Sequence, residues 1–201
     1  ECSHLYLAIE GKLAAVICVE DPLREEAADA VRELKEAGIT KVVMMTGDSE
    51  RTAAAIAKRV GVDEYYSEVL PEDKASFVEK EKELGHKVIM IGDGINDSLA
   101  LSSASVGIAI SDGAAIAREI ADVTISADNL HEIVTLKRLS TALMKRIHNN
   151  YRTIIGINGG LIALGVTGII MPTTSALLHN MSTLTISLRS MRNLLPKEEE
   201  A

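Results

Sequence analysis

Cysteine is rare in this chain, and its rarity argues against two classes of protein. The 201 residues contain only Cys2 and Cys18, too few and too near the start of the chain for a disulfide framework. They fit no CxxC metal-binding pattern, so we expect both to be small, buried hydrophobic side chains. A signal peptide is also lacking, and the first residue is Glu1 rather than methionine. We therefore expect the chain to be the C-terminal part of a longer protein.

Basic residues are in the minority over the first 130 residues, which carry 13 Lys or Arg against 25 Asp or Glu. An acidic stretch of this kind is poorly suited to binding nucleic acid, so we expect no nucleic-acid partner. Over residues 131–196 the balance reverses, with seven basic residues against Glu132 alone. The reversal predicts an acidic, soluble domain followed by a basic segment of a different kind.

Apolar, strand-like runs alternate with helix-like segments through the acidic part. A hairpin is predicted first, with strands at residues 5–9 and 13–19. Further strands are predicted at residues 41–45, 65–69, 87–91, 106–110 and 123–125. Helices are predicted at residues 24–37, 71–85, 95–101 and 114–120, and one more follows the turn at residues 46–49 and ends near residue 60. Repeated β–α units with apolar strands predict an α/β fold with a doubly wound parallel sheet.

Two acidic turns directly follow predicted strands of this sheet. Ligands of such sheets bind outside the carboxyl ends of the strands, so TGD at residues 46–48 and GDGIND at residues 92–97 are expected to converge on one crevice. Asp93 and Asp97 suit Mg²⁺, which binds one or two carboxylates together with the oxygens of a phosphorylated group. The alternative is an ordinary turn in which an aspartate caps a helix. The composition of all six residues favours phosphoryl chemistry.

Charge is absent from residues 153–171, a stretch about as long as a bilayer's hydrocarbon core is thick. Residues 173–188 are also uncharged but more polar. Basic residues flank both outer ends, which favours a membrane hairpin with its ends in the cytoplasm over a buried core hairpin. Four side chains within it, Asn158, His179, Asn180 and Met181, are candidates for a transported-ion site. Hydrogen bonding between helices is an equal alternative for the asparagine at residue 158.

These features together resemble the P-type cation-transporting ATPases, and within them the heavy-metal-transporting branch. DPLR at residues 21–24 is similar to the family's hinge region, and residues 46–48, 71–74 and 92–97 match its TGD, PxxK and GDGxND motifs. The resemblance implies a haloacid-dehalogenase-like Rossmannoid fold in a multi-pass protein of the cell membrane. It also implies four parts: the C-terminal part of the phosphorylation domain with its hairpin (1–129), a basic linker helix (130–152), two transmembrane helices (153–190) and a cytoplasmic tail (191–201).

The resemblance also implies roles for the matched residues, with Mg²⁺ and ATP as cofactors. Asp93 would ligate Mg²⁺ directly, and Asp97 would bind it through water or orient Asn96. Lys74 would pair with the phosphoryl oxygens and the nucleophilic carboxylate, although alone it would be interpreted as an exposed helix lysine. Hydrogen bonds from Thr46 and the Gly47 N–H would hold the same oxygens, and Asp48 would hold the loop. The implied catalytic residues are Thr46, Gly47, Asp48 and Lys74, and the implied cofactor-binding residues are Asp21, Gly92 and Asn96.

One part of the family pattern is missing, because no DKTGT motif occurs in the chain. Its aspartate forms the phosphoenzyme in this family, so that nucleophile and most of the ATP site would lie upstream. We expect ATP-driven transport from the full-length protein and no activity from this chain alone. The alternatives are a soluble phosphatase of the same fold and a non-catalytic, membrane-tethered module that binds Mg²⁺ or phosphate.

The identity of the transported metal is left open by the same comparison. No carboxylate falls within residues 153–188, and the copper-type Met-x-x-Ser-Ser pattern is only partly matched. Zn²⁺ or Mn²⁺ is the expected ion. The other expected partners are the lipid bilayer and the upstream portion of the same protein.

Overall fold

The structure is a computed structural model that describes residues 3–19, 23–92, 95–110, 115–125 and 129–195. Contacts between Cα atoms divide the chain into two compact units, Glu1–Val134 and Thr135–Ala201. The first unit contains the α/β elements and the second consists of helical segments.

An antiparallel hairpin opens the first unit, as predicted. Strand β1 (Ser3–Ile9) pairs with β2 (Lys12–Val19) through the two-residue turn at Glu10 and Gly11. Both turn residues have positive φ, 50° and 78°, which matches the twist that two-residue hairpins require. Cys18 lies exposed on β2, so the expectation that it is a buried hydrophobic side chain is wrong, and Cys2 lies outside the described residues.

Helices and parallel strands alternate after the hairpin. The elements are α1 (Ala27–Glu36), β3 (Val43–Met45), α2 (Glu50–Val60), β4 (Glu64–Tyr66), α3 (Pro71–Glu83), β5 (Ile89–Gly92), a 3₁₀ turn (Ile95–Asp97), α4 (Ser98–Ser103), β6 (Val106–Ile110), α5 (Ala115–Ile120) and β7 (Val123–Ile125). Strand β3 pairs in parallel with β4, and β5, β6 and β7 form a parallel sheet in that order. The predicted α/β class is confirmed, but over the described residues the strands form two parallel sheets instead of one.

Several predicted boundaries shift for local physical reasons. The strand expected at residues 41–45 begins only at Val43, because the Val42 N–H donates to the Asp63 carboxylate (2.7 Å) and not to a neighbouring strand. The helix expected at residues 95–101 is divided into the 3₁₀ turn and α4. Helix α3 does begin at Pro71, where a missing N–H is tolerated, and the Asp73 carboxylate accepts the Leu70 N–H (3.2 Å).

The core of the α/β unit lies where α4 packs against the β5–β6–β7 sheet. Leu101 and Ala109 are 1% and 0% exposed, and Met90 and Ala121 pack against them. Gly107 of β6 permits this approach, since a Cβ there would lie 2.7 Å from the Leu101 carbonyl oxygen. The packing places the loop before α4 at the carboxyl end of β5.

The connection between α2 and β4 is held by the carboxylate of Asp63, which accepts hydrogen bonds from the Lys35 ammonium (2.7 Å) and from the Val42 N–H. These two hydrogen bonds, the Lys35 one foremost, lower the pKa of Asp63 below its ordinary value of 3.8. A lowered pKa in the folded state stabilises the fold above the ordinary pKa, and the contribution is lost as the pH falls through the folded value. Acid should therefore weaken the attachment of α1 to the β3–β4 sheet.

The Asp63→Asn variant tests this dependence. We expect its free energy of unfolding to be lower than that of the unchanged chain at neutral pH, with the difference shrinking below about pH 4. Denaturant titrations at a series of pH values measure both. Glu83→Gln, which removes an exposed carboxylate from α3, is the control and should follow the unchanged chain. If the free energies of unfolding of the Asp63 variant and the unchanged chain varied in the same way with pH, the pH dependence could not be assigned to Asp63.

Two helices form most of the second unit. Helix α6 runs over His131–Val166, beginning in the first unit, and α7 runs over Pro172–Ser190. The Arg146 guanidinium donates to the carbonyl oxygens of Ser190 (2.9 Å), Arg192 and Asn193 (2.8 Å), at and beyond the end of α7. Among the described helices, none combines the length and the apolar character needed to cross a membrane. The predicted transmembrane hairpin is therefore not confirmed.

Candidate active site

A partly buried ion pair joins two of the predicted motifs. The Lys74 ammonium donates to Asp97 Oδ1 at 2.8 Å, and the two side chains are 15% and 11% exposed. Lys74 lies in the first turn of α3, whose start is fixed by Pro71, and Asp97 ends the 3₁₀ turn before α4. Charges removed from water in this way require a close partner of opposite sign. The interpretation of Lys74 as an exposed helix lysine is therefore wrong.

Gly92 lets the Asp97 side chain reach this position. It is the last residue of β5, and a Cβ added to it would lie 2.6 Å from Asp97 Cβ and 2.9 Å from Asp97 Oδ2. No real side chain tolerates such an approach, so glycine is needed here for space and not for an unusual φ. The carboxylate consequently packs against the backbone at the carboxyl end of β5.

The TGD turn follows β3 and is held by its own hydrogen bonds. The Thr46 hydroxyl donates to Asp48 Oδ2 (2.7 Å) and accepts from the Asp48 N–H (3.1 Å). The main-chain N–H groups of Glu68 and Val69 donate to the Asp48 and Thr46 carbonyl oxygens, at 2.9 and 3.0 Å. Asp48 thus orders the loop, and the Gly47 N–H takes no part in these bonds.

The segment that supports this turn was missed at the sequence level. Glu68 has a φ of 53°, unusual for a residue other than glycine, and this conformation aims two successive N–H groups at the turn. The same segment leads through Leu70 into α3 and hence to Lys74. No sequence signal marks Glu68, because its strain is set by the turn that it supports.

The structure brings some predicted residues together and not others. Asp97 lies against both Lys74 and Gly92, whereas Asn96 is exposed on the 3₁₀ turn. No hydrogen bond between described residues joins the TGD turn to Lys74 or Asp97. The expected Mg²⁺ ligand Asp93 and the hinge residue Asp21 lie outside the described residues.

A second acidic group lies near the TGD turn, at the start of α2. Glu50 accepts hydrogen bonds from the Tyr65 hydroxyl (2.8 Å) and from the Ser67 hydroxyl (2.5 Å). The bond from Ser67, and then that from Tyr65, lowers the pKa of Glu50, while the carboxylate raises the pKa of Tyr65. Glu50 therefore remains ionised and fastens α2 to β4.

Two of the candidate ion-site residues of the second unit contact each other. His179 Nδ1 lies 2.8 Å from Asn158 Oδ1, which joins α7 to α6. Met181 is two residues beyond His179, and helix residues with this spacing do not face the same way. No group of three or more His, Cys, Asp or Glu side chains able to hold a metal ion occurs in the described ranges. The assignment of residues 158 and 179–181 to an ion site stays a prediction.

The Lys74–Asp97 site offers chemistry suited to a phosphoryl group. A compact ammonium and a carboxylate lie at the carboxyl end of a parallel strand, where ligands of such sheets bind. The carboxylate supplies hard oxygen atoms of the type that Mg²⁺ prefers, so the donor set fits this ion. The ammonium supplies a positive charge that can neutralise phosphoryl oxygens.

Comparison with known proteins identifies the family. A model of the haloacid dehalogenase-like hydrolase family matches residues 3–105, which include the TGD turn, Lys74 and Asp97. The chain belongs to the haloacid dehalogenase-like hydrolases.

Sequence relatives place the chain with the heavy-metal P-type ATPases, which confirms the resemblance. It is 44% identical to copper-transporting ATPase 2 of Rhizobium meliloti over 88% of this chain and 21% of that protein. It is 38% identical to a manganese-exporting P-type ATPase of Mycobacterium tuberculosis over 94% of this chain and 26% of that protein. The chain therefore spans about a quarter of the length of these curated relatives.

A solved structure supports the same placement. The crystal structure of a zinc-transporting PIB-type ATPase in the E2.Pi state matches 95% of this chain and 31% of that chain. The TM-score is 0.84 and the sequence identity is 32%. A match of that extent includes most of the helical residues after Val134 as well as the α/β unit.

Proposed function

We propose that the chain is the rear part of an ATP-driven transition-metal transporter that cycles through an aspartyl-phosphate. The observation that carries the proposal is the Lys74–Asp97 ion pair against Gly92. It joins the PxxK and GDGxND motifs at the carboxyl end of one strand, where a phosphoryl group can be held. The nucleophilic aspartate would come from a segment outside these 201 residues, since no DKTGT motif occurs within them.

Each side chain at the site has a physical task in this proposal. Phosphoryl transfer depends on positioning and on neutralising the charge of the transferred group. Lys74 would hold the phosphoryl oxygens with an ammonium that Asp97 keeps in place. Thr46 and the Gly47 N–H would donate to the same oxygens, which requires the Thr46 hydroxyl to leave Asp48. Asp48 would then hold the turn through its backbone bonds.

Asp93 and Asp97 are the proposed holders of Mg²⁺, with Asn96 and Gly92 shaping the turn between them. When bound, the ion would supply positive charge beside the phosphoryl oxygens and the nucleophile. Asp21 would lie in the hinge toward the ATP-binding part of the larger protein. In this proposal ATP binds mainly to that part of the larger protein and not to this chain.

For the second unit we propose the membrane hairpin of the transporter, at residues 153–190, with the basic linker of residues 130–152 and the tail of residues 191–201 in the cytoplasm. The support is the uncharged sequence between basic flanks and the extent of the match to the zinc-transporting ATPase. The Asn158–His179 pair would lie on the ion path, with Asn180 and Met181 as further candidates. Zn²⁺ or Mn²⁺ is the proposed ion, although the relatives' names also include copper.

The test is metal-stimulated ATP hydrolysis by the complete gene product, across Zn²⁺, Mn²⁺, Cu⁺ and Co²⁺. We expect stimulation by Zn²⁺ or Mn²⁺, and a loss of about tenfold in stimulation for His179→Ala, which removes the imidazole from the path. Ser187→Ala on the same helix serves as the control. Full stimulation of the His179 variant would remove that residue from the ion path. ATP hydrolysis that no metal stimulates would favour a phosphatase instead, and no hydrolysis at all would favour a non-catalytic binding module.

A further inference from the structure

One arginine of α6 holds the stretch of chain that ends α7. The Arg146 guanidinium donates to the main-chain carbonyl oxygens of Ser190 (2.9 Å), Arg192 and Asn193 (2.8 Å). The last carbonyl groups of a helix have no partner within the helix, and a positive charge is favoured beside them. A single planar guanidinium therefore closes the end of α7. We call these three contacts the arginine clamp.

A second side chain of α6 holds the same end of α7. The Asn150 amide donates to Ser190 Oγ (2.7 Å), and that hydroxyl donates in turn to the Ile186 carbonyl oxygen (2.8 Å). Arg146 and Asn150 are one helical turn apart and so lie on neighbouring parts of one face. Arg146, Asn150 and Ser190 are all half-buried. The end of α7 is thus fixed to α6 through both the main chain and the side chain of Ser190.

The clamp and the Asn158–His179 pair lie at two levels of the same two helices. Residue 146 meets residue 190 and residue 158 meets residue 179, so the helices run antiparallel. The step from 146 to 158 is about 18 Å along α6, and the step from 179 to 190 is about 16.5 Å along α7. These nearly equal lengths let both contacts form together. A slip of α7 by one turn, about 5.4 Å, would break both.

We propose that Arg146 is a positioning residue, which fixes the register of α7 against α6 and so holds His179 beside Asn158. It acts through the backbone of α7, from a contact about three turns away. The planar fork of an arginine suits this task, because it meets several oxygen atoms at once, whereas a lysine ammonium is a point charge on a flexible stem. The proposal deepens the proposed function and rests on it, since that function places the Asn158–His179 pair on the ion path.

The tautomer of His179 reports the register. An amide oxygen can only accept, so the bond to Asn158 Oδ1 requires the proton on His179 Nδ1. Nitrogen NMR of the 201-residue chain with isotope-labelled histidine, in detergent micelles at about pH 8, identifies this form while the ring is neutral. The signal is assigned by its absence from His179→Gln. We expect the Nδ1–H form in the unchanged chain and an average of both tautomers in Arg146→Ala and Arg146→Lys.

Two comparisons separate the clamp from charge and from folding. Arg152→Ala removes the same charge from an exposed position on the same helix and should leave the His179 signal unchanged. Arg146→Lys keeps the charge, so it decides the question even where the alanine variant does not fold. The Nδ1–H form retained in Arg146→Lys, lost in Arg152→Ala or missing from the unchanged chain would overturn the proposal.

Metal-stimulated ATP hydrolysis by the complete gene product gives a second readout. In Arg146→Lys we expect the Zn²⁺ or Mn²⁺ concentration for half-maximal stimulation to rise about tenfold while the maximal rate stays nearly unchanged. Arg152→Ala should alter neither. A fall in the maximal rate with no change in that concentration would overturn the proposal. If no metal stimulates the unchanged gene product, the proposed function fails, and the His179 signal still decides whether Arg146 sets the register.

Discussion

Replacing Lys74 by alanine is expected to reduce ATP hydrolysis by the complete gene product by about 10²–10³-fold, since one preorganised charge contributes this much in comparable sites. The ammonium is fixed by Asp97 at 2.8 Å and is mostly shielded from water, so solvent cannot replace it efficiently. The substitution also leaves the Asp97 carboxylate without its partner. We expect the 201-residue chain to lose about 2 kcal/mol of unfolding free energy, which denaturant titration measures.

Two further variants separate charge from structure at this pair. Lys80→Ala removes an exposed lysine from the same helix and should leave both hydrolysis and stability nearly unchanged. Lys74→Ala combined with Asp97→Asn removes the unpaired charge, so most of the lost stability should return while hydrolysis stays low. Normal hydrolysis by the Lys74 single variant would remove this residue from the phosphoryl site.

Gly92→Ala is expected to have the second largest effect. Its Cβ would lie 2.6 Å from Asp97 Cβ, so either the Asp97 side chain or the end of β5 must move. Overpacking of this kind costs about 2 kcal/mol, and displacement of Asp97 should lower ATP hydrolysis by roughly a hundredfold in the complete gene product. Urea titration of the 201-residue chain and steady-state hydrolysis by the complete gene product measure the two effects.

A matched glycine substitution shows whether space is the cause. A Cβ at Gly156 of α6 would meet no atom within 4 Å beyond its own stretch of helix, so Gly156→Ala should change stability by no more than about 1 kcal/mol. If Gly92→Ala were equally harmless to both stability and hydrolysis, the close approach of Asp97 to β5 would not be required. The explanation of the glycine in this motif would then be wrong.

Local sequence pattern was sufficient for most of the fold, because burial and turn chemistry are local in these elements. The strands at residues 106–110 and 123–125 have the predicted bounds, and the hairpin lies where its turn was expected. Strand β3 is shorter than predicted because Val42 bonds to Asp63, 21 residues away. A hydrogen bond between residues so far apart in the chain cannot be predicted from a short stretch of sequence.

The site was predictable only in part for the same reason. The motifs identified Lys74 and Asp97 separately, but their ion pair spans 23 residues and depends on how α3 packs against α4 and the 3₁₀ turn. The residue type at position 68, a glutamate, gives no indication that Glu68 supports the TGD turn. The hydrogen bond between Asn158 and His179 likewise joins two helices across 21 residues, and no short stretch of sequence predicts it.

Acid-stable incorporation of labelled phosphate from ATP distinguishes a fragment of a P-type ATPase from a self-sufficient enzyme most directly. The complete gene product and the 201-residue chain are incubated with labelled ATP, Mg²⁺ and Zn²⁺ or Mn²⁺, and then quenched with acid. We predict a phosphoenzyme in the complete gene product, lost on treatment with hydroxylamine as an acyl phosphate should be, and none in the 201-residue chain. Incorporation into the 201-residue chain itself, or none into the complete gene product, would contradict the proposed function.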